Sequence, residues 1–203
     1  MTRMLRRLLA ALTGVGALLL VLIPAAQAHV EAGGVGSVMA GFLHPVTGLD
    51  HVVAMVAVGL WGAVLGAPAL WLLPVAFPMV MAFGALFGLL QLPLPGVEVG
   101  IALSALVLGV LVMLQKRLPL ALAATLVGVF ALFHGYAHGL ELPDGADALL
   151  FSLAFVVATG LLHLVGIVLG EARQLPWGQR FVQLTGAVIA VVGVWSLAQV
   201  GGV

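Results

Sequence analysis

Asp147 to Leu169 reads DALLFSLAFVVATGLLHLVGIVL, and after its opening acid His163 is the one ionisable side chain in the run. About 20 apolar residues, rising 1.5 Å each as a helix, cross the ~30 Å hydrocarbon core of a bilayer. The stretch therefore predicts a transmembrane helix. Comparable runs lie at 36–65, 69–90, 98–115, 118–139 and 178–200. The whole chain follows suit: 64% of residues are hydrophobic, 7% are charged, and mean hydropathy is +1.30. Gly is abundant, 27 of 203 residues, as expected where helices pack closely in lipid. The reading is all-α: one polytopic membrane bundle of six transmembrane helices, with no room for a soluble catalytic domain. The chain has no Cys, which excludes disulfides and thiolate metal sites.

The N-terminus reads as a cleavable signal peptide over residues 1–28. Arg3, Arg6 and Arg7 form the basic region, Leu8 to Ile23 the apolar region, and Ala26-Gln27-Ala28 an A-x-A site that would leave His29 first. An uncleaved first helix is the alternative. Cleavage removes three of the seven basic residues and none of the seven acidic ones, leaving a formal charge of −3 on the six-helix domain, 29–203.

The first apolar run is too long for one straight helix. Pro45 and Gly48 are expected to break it, with 36–43 as a short leading segment and the main helix starting near Pro45. His44, before a proline, is biased out of the α region. With the new N-terminus outside, six spans return the C-terminus outside. The inner loops then hold Lys116, Arg117, Arg173 and Arg180, and the outer segments hold no Lys or Arg. Glu31, Asp50, Glu98, Glu141, Asp144 and Asp147 fall at the outer side, as do His44, His51, His134 and His138. Such an acidic mouth concentrates cations.

Ionisable residues at membrane depth are expensive and point to function. His44-Pro45-Val46-Thr47-Gly48-Leu49-Asp50-His51 places two imidazoles and a carboxylate within eight residues, and Met55 shares a helix face with His51. His134 and His138 are i,i+4, with Glu141 three residues on, so one side of a helix displays all three. Neither group alone closes a site, so the two are expected to meet, first span against fourth, around a shared cation. A structural hydrogen-bonded cluster at a kink and a wetted helix end are the plainer readings. Glu98, after Pro93-Leu94-Pro95-Gly96, is either a ligand or a carboxylate complementing a helix start. His163 is either part of an ion path or a hydrogen-bonding core residue. Phe77-Pro78 reads as a kink with an aromatic plug. The ligand types suit a borderline, nitrogen- and oxygen-ligated divalent ion and leave Zn²⁺, Co²⁺ and Cu²⁺ open.

At these residues the chain resembles the HupE/UreJ family. The matching segments are His44-Pro45-x-x-Gly48-x-Asp50-His51-x-x-x-Met55-x-x-Val58-Gly59 and Phe133-His134-Gly135-x-Ala137-His138-Gly139-x-Glu141. Val97-Glu98-x-Gly100-Ile101-Ala102-x-Ser104 and Leu161-Leu162-His163-x-x-Gly166 are similar too. The resemblance implies a nickel permease, with cobalt as a possible second ion, linked to hydrogenase or urease maturation. It implies His44, Asp50, His51, Glu98, His138 and Glu141 as the functional set, and Phe77 more weakly. The expectation is thus a multi-pass permease of a bacterial inner membrane, not an enzyme, without organic cofactor or nucleic-acid partner. Its transport would be secondary or facilitated, since no nucleotide-binding loop is present. An intramembrane metal-dependent hydrolase and a membrane haem protein are the competing classes.

Overall fold

The computed structural model describes residues 34–200; the signal expected over 1–28 lies outside the described residues. Seven α-helices follow one another: α1 Gly34–Thr47, α2 Leu49–Leu65, α3 Ala69–Leu89, α4 Val97–Met113, α5 Leu120–Leu140, α6 Ala148–Glu171 and α7 Gly178–Val200. A short 3-10 turn, Ala172–Gln174, joins the last two, and no strand occurs among the described residues. The apolar runs thus become helices within a few residues of their expected bounds.

The break in the first span differs from expectation. Pro45 is buried inside α1, and the chain turns at Gly48, whose φ of −94° and ψ of 116° are extended. His44 is accordingly helical. The last turn of α1 is held by the buried Pro45 ring and by the Thr47 hydroxyl, which donates to the His44 carbonyl at 2.7 Å. These contacts override the local bias against a helical residue before proline. The helix restarts at once, with the Val52 N–H donating to the Gly48 carbonyl at 3.0 Å, and α1 and α2 meet at 82°.

Among the described residues four helices are long and apolar enough to cross a membrane: α3, α5, α6 with its 3-10 extension, and α7. The bent α1–α2 pair makes a fifth if it counts as one span. At 17 residues, α4 is shorter than the ~20 that a full crossing takes. Length alone therefore does not reach six spans. The outward faces are apolar, as lipid requires. Trp71, Val75, Met79 and Phe83 of α3 and Leu184, Val188, Val191 and Trp195 of α7 are all exposed.

Helices pair through small residues, since lipid leaves little hydrophobic drive between them. The glycine pairs Gly84/Gly88 of α3 and Gly135/Gly139 of α5 mesh so tightly that a Cβ at Gly135 would strike the Met81 carbonyl, and one at Gly84 the Leu132 carbonyl. Gly59 of α2 lies on the His163 carbonyl of α6 in the same way, and Gly166 on that of Val56. α4 and α7 form a third close pair. All but one of the described charges separate by end. Asp50, Glu98, Glu141 and Asp147 sit where α2, α4 and α6 begin and α5 ends; Lys116, Arg117, Arg173 and Arg180 sit at the opposite end, where Glu171 is the lone acid, 3.6 Å from Arg173.

Candidate metal centre

The elbow at Gly48 carries one histidine on each arm, His44 in the last turn of α1 and His51 in the first turn of α2. The final turns of α5 bring His134, His138 and Glu141 against it. The ring nitrogens converge. His44 Nε2 lies 3.1 Å from His138 Nδ1 and 3.0 Å from Glu141 Oε2, which is 3.2 Å from that same Nδ1. On the other side of the ring, His138 Nε2 lies 2.9 Å from His51 Nδ1, itself 3.2 Å from His134 Nδ1. Two triads result, His44/His138/Glu141 and His51/His134/His138, each with donor atoms close enough to hold a metal ion. His138 belongs to both, one nitrogen to each.

The triads differ in setting. Glu141 is 54% exposed and His44 24%, whereas His51 and His134 are buried, at 3% and 1%. Hydrogen bonds from His138, and next from His44, pull the Glu141 carboxyl down to about 2, against the opposing effect of burial. Glu141 is therefore an anion throughout the physiological range. Phe155 walls the apolar side, its ring centroid 4.6 Å from that of His138 and 5.6 Å from that of His51. Phe151 flanks His44 at 5.5 Å.

Ser104 of α4 fixes the protons of the buried triad. Its hydroxyl donates to the Ile101 carbonyl at 2.6 Å, so toward His134 Nε2, 2.9 Å away, it can only accept. Nε2 then carries the His134 proton, and the lone pair of Nδ1 faces His51. Lone pairs aimed at one another across 3.2 Å repel, so a proton or a cation must lie between these rings. A metal ion can replace that proton, because ligating imidazole must be neutral. The expectation from sequence did not single out Ser104 as a site residue. A buried hydroxyl in an apolar helix was the available signal, but only the rotation of α4 against α5 shows its partner.

The expected residues fare unequally. His44, His51, His138 and Glu141 meet, first span against fourth, but around two adjoining triads instead of one site. His134, ranked lower by sequence, lies at the centre of the buried one. Asp50 joins neither triad; its carboxylate accepts the His51 backbone N–H at 2.8 Å and lines the surrounding pocket of about 220 Å³. Glu98 is exposed in the first turn of α4 and also stands outside both triads. With Asp50 and Glu141 it lines a wider cleft of about 720 Å³ that shares its wall with the histidine pocket. Met55 is fully buried in the apolar core. Phe77, also buried, touches both His134 and His163, its centroid 5.7 Å and 5.5 Å from theirs.

A helical bundle built to sit in a membrane, with imidazoles and a carboxylate gathered at one end, defines a membrane protein able to hold a metal ion. Comparison places it more closely. The family described as HupE / UreJ protein matches residues 17–196. Protein HupE of Rhizobium leguminosarum bv. viciae is 44% identical over 168 residues, which cover 83% of this chain and 87% of that one. The chain belongs to the HupE/UreJ family. No solved structure matches it.

Proposed function

We propose that this protein is a permease for a divalent transition-metal ion, carried without chemical change. The observation that carries the reading is the pair of triads joined through His138. One is half-open and contains a carboxylate, the other is buried and made of imidazoles alone, and a ligand with one nitrogen in each can hand an ion across. Glu98 and Asp50 supply negative charge along the adjoining cleft and raise the local cation concentration. Glu141 and His44 capture the ion. His51, His134 and His138 then replace more of its water. Affinity must stay modest, because a transport site has to release what it binds.

Nitrogen and oxygen ligands without sulfur suit nickel, and cobalt as a second ion. Nickel is also the ion that the family resemblance implies, with delivery toward hydrogenase or urease maturation. In this reading α4 completes a sixth, short span. The basic end faces the cytoplasm and the histidine end the periplasm of the inner membrane, with residues 1–28 removed as a signal. The test is uptake of radiolabelled nickel by cells expressing the wild type or His51→Ala. Uptake above background that His51→Ala abolishes supports the permease. Equal uptake by the two removes it.

A further inference from the structure

Beyond the two triads, on the side away from Glu141, lies a group of buried polar atoms that nothing in the capture site uses. His163 is 15 residues into α6, roughly 22 Å along the helix axis from its start at the histidine end. It is 1% exposed, and neither ring nitrogen has a hydrogen-bond partner among the described residues. One turn earlier on the same face, Thr159 is fully buried, and its hydroxyl is equally without a partner. On the triad side, His51 contributes a fourth such atom, Nε2, the nitrogen opposite the one shared with His134 and His138. Most buried polar groups are satisfied, so a cluster of exceptions asks for a cause.

A fourth group adds an oxygen. Pro78 has no N–H, so the Pro74 carbonyl, four residues earlier in α3, lacks its helical partner. That carbonyl lies beside the His163 ring, close enough to interact but not aligned as a hydrogen bond. Phe77, between these two prolines in sequence, packs its ring against those of both His134 and His163. The Gly59 contact presses the His163 backbone against α2 and fixes the depth of the ring.

We propose that His163, Thr159 and the freed Pro74 carbonyl form a third station for the same divalent cation, inward of the two triads, with the Phe77 ring in contact with both His134 and His163. The proposal rests on the permease reading above. An imidazole, a hydroxyl and a backbone carbonyl form a weaker ligand set than three imidazoles or two with a carboxylate. Such a set suits the release side of a path, where binding must be loose.

The test measures nickel transport by the full chain in proteoliposomes holding a metal-sensitive dye, with nickel binding to the purified protein measured alongside. His163→Phe and Thr159→Val leave both triads intact. They are expected to bind nickel as the wild type does and to move it about 10-fold more slowly or worse. Thr159→Val is also expected to raise the melting temperature, because a methyl group of similar shape replaces an unsatisfied buried hydroxyl. It decides the matter if His163→Phe fails to fold. A lower melting temperature with unchanged transport would assign the hydroxyl to structure and overturn the station. Wild-type transport by both variants, beside loss in His51→Ala, overturns the station and leaves the triads standing. A wild-type protein that moves no nickel overturns the permease reading and the station with it.

Discussion

The triad of His44, His138 and Glu141 and the triad of His51, His134 and His138 share one ring and little else. The first contains a carboxylate more than half exposed and kept ionised by its two histidine neighbours. The second is buried, built of imidazoles alone, and tuned by a serine hydroxyl that dictates where the His134 proton sits. A site with a carboxylate at the surface attracts a cation from water; one without a carboxylate inside holds it without a strong Coulomb trap. The difference suggests a division of labour, capture outside and dehydration inside, with His138 as the hinge of the exchange.

The largest effect should come from the ring common to both. His138→Ala removes a ligand from each triad at once, and nickel uptake is expected to fall about 100-fold, the upper end for lost metal-site contacts. A mild loss would show that the triads do not act in series. Next come the substitutions that separate them. His134→Ala, inner only, should lower the maximal uptake rate with little change in the concentration for half-maximal uptake. Glu141→Gln, outer only, should raise that concentration about 10-fold with the maximal rate nearly kept. Identical kinetic signatures would erase the distinction between capture and transfer.

Ser104→Ala tests the proton assignment. It frees the His134 tautomer without touching a ligand, so nickel binding is expected to weaken by a factor of about 10, with recovery in Ser104→Thr. If Thr and Ala behave alike, the hydroxyl is not setting the ring.

The smallest effect concerns pH. The Glu141 carboxyl is depressed to about 2, so its contribution to the site is present above the ordinary carboxylate range and is lost only as pH falls toward that value. Between pH 7 and 5 the carboxylate is therefore expected to stay ionised: the infrared carboxylate band that disappears in Glu141→Gln should keep its intensity across this window. A band that fades between pH 7 and 5 would mean that the carboxylate titrates there.

Much of this was legible in the sequence. Apolar runs marked the helices, and i,i+4 spacing placed His134 and His138 on one face. The absence of any Lys or Arg in a span core left the two polar clusters to pair with each other. Other features were not legible because they depend on rotation and bend. Of the two residues expected to break the first span, Gly48 does so and Pro45 does not, since buried contacts around Pro45 outweigh its local preference. That elbow sends Asp50 toward its own backbone and the cleft, while His51 turns into the bundle. Glu98 and Met55 show the same limit. Residue type made both candidate ligands, yet the angle at which α4 and α2 pack leaves one in the cleft and the other in the apolar core.

The central claim is that a cation sits on the imidazoles shared through His138. X-ray absorption at the nickel edge of the purified, nickel-loaded protein tests it most directly. The account predicts a shell of nitrogen and oxygen neighbours with the multiple-scattering signature of imidazole, retained in Glu98→Gln and lost in His138→Ala. A nickel ion surrounded by water and carboxylate oxygen alone, unchanged in His138→Ala, would contradict it.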